Sequence, residues 1–311
     1  MKRWISLLLV LLIMGGLMTA AAEETKDMKN FVFEDEIPAE LTRAPKQKGG
    51  TVTKFSYPSK DYTNDQAEIK KDAALYLPPD YSEDNRYDLL VLCHGVGGTE
   101  LEWGFMNRYS IGRNVIDNLI LKGIIPPMII VMPNGRSTAK ANNTGWDNMG
   151  SFYFFGQELR NDLLPYVDAN YATYGHDTQD DLTASRNHRA MAGLSMGGMQ
   201  TINIGLGECL DLFSMFGAFS AAPTSNPAAT VAQKLNDFPD YPVRYFYSVC
   251  GTEDSTAYGA ASAAAKELPK HTDRLTEENW HWQERSGGHD FNIWNLGLYN
   301  FAWVLGAVHE D

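Results

Sequence analysis

Basic residues are scarce in this chain: 26 Lys and Arg stand against 39 Asp and Glu, giving a formal net charge of −13. Nucleic acid and anionic membrane surfaces are bound through basic patches, so this balance argues against both as partners. Cysteine is nearly absent. The three that occur (Cys93, Cys209 and Cys250) cannot all pair internally. That excludes a disulfide-stapled scaffold, and Cys93 and Cys250 read as small buried hydrophobes within core strands. Internal repeats, low-complexity tracts and a second module are also missing. The first long apolar run, Trp4 to about Met18, is shorter than the ~20 residues of a membrane-spanning helix. Preceded by Lys2-Arg3 and followed by Thr19-Ala20-Ala21-Ala22, it reads as a secretory signal peptide over residues 1–22. The expectation is a secreted protein without stable membrane association. Removing Lys2 and Arg3 with that peptide, and no acidic residue, takes the charge to −15. Residues 23–50 are polar and charged and are expected to lie as a leader on the surface. Residues 51–311 fit one α/β domain.

What is present is a nucleophile signature. Gly193-Leu194-Ser195-Met196-Gly197 follows Arg189-Ala190-Met191-Ala192, a run with the small, apolar look of a buried strand. A G-x-S-x-G turn between strand and helix thrusts its serine to the top of an α/β-hydrolase sheet. The turn is tight, and glycine fits it because it has no Cβ to clash.

The partners follow in the order this fold requires, Ser, then Asp or Glu, then His. The aromatic and β-branched segment from Val243 to Cys250 reads as a strand running into Gly251-Thr252-Glu253-Asp254. A later strand, Asn279-Trp280-His281-Trp282-Gln283, leads through Arg285-Ser286-Gly287-Gly288 to His289. His289 is the expected general base and Asp254 the group that orients it. Glu253 and Asp290 compete for the acid role. Asp290 directly follows the base, so its side chain should diverge from the imidazole.

Leu89-Leu90-Val91-Leu92-Cys93 is apolar throughout, as in a parallel strand covered on both faces. It precedes His94-Gly95-Val96-Gly97-Gly98, similar to the HGGG-type loop whose backbone N–H helps to bind an oxyanion. The expected donors are the N–H groups of Val96 and Met196. His94 and His188 read as structural. Eight strands are expected: Thr51–Tyr57, Ala73–Leu77, Leu89–Cys93, Met128–Met132, Arg189–Leu194, Phe216–Ser220, Val243–Cys250 and Asn279–Arg285. Helical periodicity lies between the later ones, with Leu159, Leu163, Leu164 and Val167 on one face of Gln157–Asp168. Ala260–Leu268 and Asn292–Val308 read as further helices. The fold class is therefore α/β: a doubly wound, mainly parallel sheet with antiparallel N-terminal strands.

These pieces resemble the esterase D-like enzymes of carbohydrate esterase family 1, the bacterial feruloyl and acetylxylan esterases of the α/β-hydrolase superfamily. Leu77-Pro78-Pro79-Asp80-Tyr81, the 94–98 loop with Trp103 after it, and His188 through Gly198 carry the likeness. So do Cys250 through Asp254 and, most specifically, Gly287-Gly288-His289-Asp290-Phe291-Asn292-Ile293-Trp294. The resemblance implies cofactor-free and metal-free hydrolysis of esters on plant cell-wall xylan, with Ser195, Asp254 and His289 as the catalytic set. Release of ferulate from arabinoxylan is the leading expectation. Acetylxylan deacetylation, acyl transfer, and carbohydrate binding on an inactive scaffold are the alternatives. The chain departs from the family pattern in the long aromatic stretch 141–155. There Trp146, with Trp103 and Trp294, is expected to wall the substrate, whereas Phe152-Tyr153-Phe154-Phe155 read as core under a loop.

Overall fold

The computed structural model describes residues 31–107 and 109–308. The expected signal peptide lies outside the described residues. Eight strands form one sheet in the order β1-β2-β4-β3-β5-β6-β7-β8. β1 (Thr51–Lys60) and β2 (Glu68–Leu77) make an antiparallel hairpin, and β2 runs antiparallel to β4 (Met128–Pro133). From β4 onward, β3 (Asp88–Cys93), β5 (Arg189–Leu194), β6 (Met215–Phe219), β7 (Tyr245–Gly251) and β8 (Trp280–Arg285) are all parallel. They coincide with the eight expected strands, β1 and β2 running further into their hairpin. This is the α/β-hydrolase fold.

The continuous apolar character of β3 has a direct cause. Leu89, Val91 and Cys93 point into one core, and Leu90 and Leu92 into another on the opposite face. Helices α2 (155–170), α3 (196–206), α4 (Ala228–Leu235) and α5 (258–266) cover the first core. Helices α1 (Gly112–Leu121) and α6 (Phe291–Ala307) cover the second. The expected face of α2 is correct: Leu159, Leu163, Leu164 and Val167 are fully buried. Each such side chain contributes about 1.5–3 kcal/mol by leaving water. Among the described residues no helix is long and apolar enough to cross a membrane.

The segment 31–50 is more than a polar surface leader. Phe33 stacks on His281 (3.9 Å between ring centres) and Tyr247 (5.0 Å), and Leu41 is buried. The Glu34 carbonyl accepts from Gln283 and Asn300, and Asn118 holds the carbonyls of Leu41 and Arg43. Charged residues dominate this stretch, so its few apolar anchors are easily overlooked in the sequence.

Burial draws the His281 imidazole from its ordinary 6.5 down to about 4. The folded chain keeps it neutral at pH values where the unfolded chain binds a proton. Its contribution is therefore fully present above pH ~6.5 and is lost as pH falls towards 4. His281→Phe preserves the stack and should lower proton uptake on unfolding at pH 5 by nearly one. A series of denaturation midpoints between pH 4 and 7 reads this, and an unchanged slope would refute it.

Candidate active site

β5 ends at Leu194 and the backbone turns at Ser195, where φ is 51° and ψ −113°. A non-glycine residue held there carries about 1–3 kcal/mol of strain. Three backbone bonds impose it. Ser195 N–H donates to Phe219 O (2.9 Å), and its carbonyl accepts from Met199 N–H (3.0 Å) and Ala222 N–H (2.9 Å). The flanking glycines are obligatory. A Cβ on Gly193 would sit 2.5 Å from the Gly197 backbone, and one on Gly197 would sit 2.5 Å from the Cys93 carbonyl oxygen.

His289, between β8 and α6, places Nε2 3.0 Å from Ser195 Oγ and Nδ1 2.7 Å from Asp254 Oδ2. Asp254 follows β7 and is buried. Its Oδ1 accepts from the N–H groups of Thr256 (3.0 Å) and Ala257 (2.8 Å), which fixes the carboxylate plane. Facing a carboxylate, Nδ1 carries the imidazole proton and leaves Nε2 to accept from the hydroxyl. The competing acids are occupied elsewhere. Glu253 accepts from Ser286 Oγ (3.2 Å) and Gly287 N–H. Asp290 caps α6, accepting from Asn292 N–H at 2.8 Å.

The remaining expected residues separate into two groups. Val96 and Met196 both line a cleft of about 380 Å³ over Ser195 and His289. Met196 is the first residue of its helix, so its N–H has no acceptor within that helix. Trp146 lines the same cleft and is 72% exposed, at the start of a 3₁₀ segment, Trp146–Phe154. Trp294 also lines it and stands edge-on to the His289 ring at 5.1 Å. Trp103 does not belong to this wall. It is 1% exposed, donates Nε1–H to Cys93 O (3.0 Å) and packs edge-on against Phe219 and Phe291. The 152–155 run divides as well: Phe152 and Phe155 are fully buried, while Tyr153 and Phe154 are partly exposed.

Both histidines expected to be structural have hydrogen-bonding partners. His94 lies 2.7 Å through Nδ1 from Gly95 O and accepts Gly135 N–H at Nε2 (3.2 Å), an arrangement of the neutral tautomer. Burial, reinforced by Arg136, draws its pKa down to about 3. His188 pairs with Asp88 (2.8 Å) and stacks on Tyr174. Met149, within the 141–155 stretch, lines the cleft too, whereas Glu102, Thr256 and the run Ala222-Pro223-Thr224 escaped sequence reasoning. That run follows the C-terminal end of β6, where open parallel sheets gather ligands, and this was its available signal. Among the described residues no cluster of three or more His, Cys, Asp or Glu side chains is arranged to hold a metal ion.

Ser195, the His289 imidazole and the buried Asp254 carboxylate thus stand in hydrogen-bonded series on this sheet, the arrangement that serine hydrolases use. The chain belongs to the esterase family, whose model matches residues 67–301. It is 30% identical over 210 residues to endo-1,4-beta-xylanase Y of Acetivibrio thermocellus, covering 64% of this chain and 18% of that protein. It is also 30% identical over 241 residues to an endo-1,4-beta-xylanase/feruloyl esterase of Xylanibacter ruminicola, covering 75% and 29% respectively. The chain thus spans less than a third of the length of either relative. In fold it is similar to the feruloyl esterase module of Clostridium thermocellum solved with sinapinate. That likeness has a TM-score of 0.71 and 23% identity, over 90% of this chain and 98% of that one. A carbohydrate esterase family 1 ferulic acid esterase from Anaeromyces mucronatus, solved with ferulic acid, is similar too. Its TM-score is 0.73 and its identity 21%, over 90% and 100% of the two chains.

Proposed function

We propose that the protein is a secreted feruloyl esterase that frees hydroxycinnamate from feruloylated arabinoxylan through an acyl-enzyme. The observation that carries this reading is the unbroken Asp254–His289–Ser195 series opening into a cleft walled by Trp146 and Trp294. Ser195 Oγ attacks the ester carbonyl carbon while its proton passes to His289 Nε2. The carbonyl π electrons move onto oxygen, and the N–H groups of Val96 and Met196 receive that oxyanion. Collapse breaks the bond to the sugar oxygen, which leaves with the proton from His289. Water then repeats the sequence on the acyl-enzyme and releases the acid. One oxyanion donor is worth about 3–4 kcal/mol of barrier in a serine hydrolase.

The cleft of about 380 Å³ has room for a bulky aromatic acyl group. The relative named as a xylanase/feruloyl esterase and the folds solved with sinapinate and ferulic acid support the same substrate class. A rate panel of methyl ferulate, acetylated xylan and 4-nitrophenyl esters of rising chain length tests this reading. Release of ferulate well ahead of acetate is expected; equal rates would move the assignment to xylan deacetylation. Trp146→Ala should raise KM for methyl ferulate about 3–10-fold with little change in kcat, as loss of one aromatic stacking partner predicts. An unchanged KM would remove Trp146 from the substrate wall. Export rests on the N-terminal sequence, and N-terminal sequencing of protein recovered from culture medium tests cleavage near Ala22.

A further inference from the structure

We infer that Glu102 and Arg136 are positioning residues that grip the 95–98 loop at its two ends and set the oxyanion donor. This rests on the assignment of Val96 N–H as that donor. Glu102 Oε2 accepts Gly95 N–H at 2.6 Å. Arg136, fully buried, donates Nη1–H to Gly98 O at 2.8 Å. Between these anchors Gly98 N–H closes the turn on Gly95 O (3.2 Å), and His94 Nδ1 meets the same carbonyl (2.7 Å). The polar groups at both ends of the loop are thereby held, while Val96 lines the cleft.

The loop is closely packed at its two ends, Gly95 and Gly98, whereas Gly97 between them faces open space. A Cβ on Gly98 would lie 2.2 Å from Glu102 Oε2, and one on Gly95 would lie 2.9 Å from Leu194 Cδ1 and 3.2 Å from Ser195 Cβ. It is wedged between the carboxylate and the nucleophile's own turn. An oxyanion donor works only about 2.7–3.1 Å from the developing charge, so a shift of a few tenths of an ångström matters.

The choice of charged residues is informative. Arg136 leaves Nε and Nη2 buried with no partner among the described residues, its guanidinium lying 4.8 Å over the Phe152 ring. Packing alone would be better served by an apolar side chain of that length, because unpaired buried donors are unfavourable. What the guanidinium supplies is the bond to Gly98. Glu102 is half of a charge-assisted bond, shorter and stronger than a neutral one. Burial pushes its carboxyl above the usual range, opposed by the Gly95 N–H and the Arg136 guanidinium, which favour its ionised form.

The test compares Glu102→Leu, Glu102→Gln and Arg136→Met on 4-nitrophenyl acetate. It also measures affinity for a phenylboronic acid, which mimics the tetrahedral adduct, and affinity for ferulate as product. Glu102→Leu should lower kcat roughly 30–300-fold, within the range for a lost oxyanion donor. KM and ferulate affinity should stay within about 3-fold, and boronate affinity should fall in step with kcat. Glu102→Gln keeps an oxygen acceptor and should recover to within about 10-fold of the parent. Three results would overturn the inference: a kcat for Glu102→Leu within 3-fold of the parent, boronate affinity unchanged while kcat falls, or no recovery in Glu102→Gln. If Glu102→Leu does not fold, Arg136→Met decides: parallel losses of kcat and boronate affinity support the role, and no loss in either overturns it. Parent protein that hydrolyses 4-nitrophenyl acetate but not methyl ferulate would fail the feruloyl assignment and leave this comparison intact.

Discussion

Ser195→Ala should fold normally and lose about 10⁵–10⁶ of turnover, the scale on which a hydrolase falls when its nucleophile is removed. The substitution deletes one oxygen from a residue that is 6% exposed, and that oxygen's neighbour in the site is His289 Nε2 at 3.0 Å. The bonds that impose the positive φ run through the backbone to Phe219, Met199 and Ala222 and survive the change. Alanine meets the same φ with a side chain no larger than serine's and no backbone bond is lost, so the thermal midpoint should stay within about 2 °C. Rates on methyl ferulate and a thermal melt check both halves. Activity above 1% of the parent would show that another group attacks the ester.

Asp254→Asn should cost about 10⁴ in kcat, as loss of the orienting carboxylate does elsewhere. The local bonds explain why the amide is worse than a simple loss of charge. Oδ1 accepts two backbone N–H groups, from Thr256 and Ala257, so the amide oxygen must occupy that position. The NH₂ group is then left facing His289 Nδ1 and donates to it. This drives the imidazole proton onto Nε2, where it blocks acceptance from Ser195. Glu253→Gln, whose carboxylate faces Ser286 and Gly287 instead, should remain within about 3-fold of the parent. If the two variants exchanged effects, the acid would be Glu253.

The sheet and the reacting series could be read from the chain because each is governed by local rules. A strand buried on both faces must be apolar at every position, and the sharp turn at Ser195 must be flanked by glycine. The helix α1 was not legible. Its sequence carries Asp117 and Asn118, both buried, whose partners are Tyr76 and Gly50 for the first and Leu41 and Arg43 for the second. Polar residues satisfied by distant segments break the apolar period on which a helix is recognised. Trp103 was misplaced for a related reason. Aromatic composition does not tell a ring that faces solvent from one whose indole N–H is satisfied by Cys93 O in the core. Glu102 left no sequence signal because its partner, Gly95 N–H, is a backbone group that every residue except proline offers.

The three cysteines give the molecule an internal clock for its own opening. All are free and buried, and burial pushes the thiols of Cys209 and Cys250 up to about 12 and that of Cys93 higher still. A maleimide added to native protein therefore finds no thiolate to modify, and each sulfur becomes reactive only when the structure around it parts. Cys250 lies 3.7 Å from the Asp254 carboxylate, whereas Cys209 packs far along the chain against Gly156. The order in which the two are alkylated under mild urea would distinguish loosening around the acid from dissolution of the whole interior.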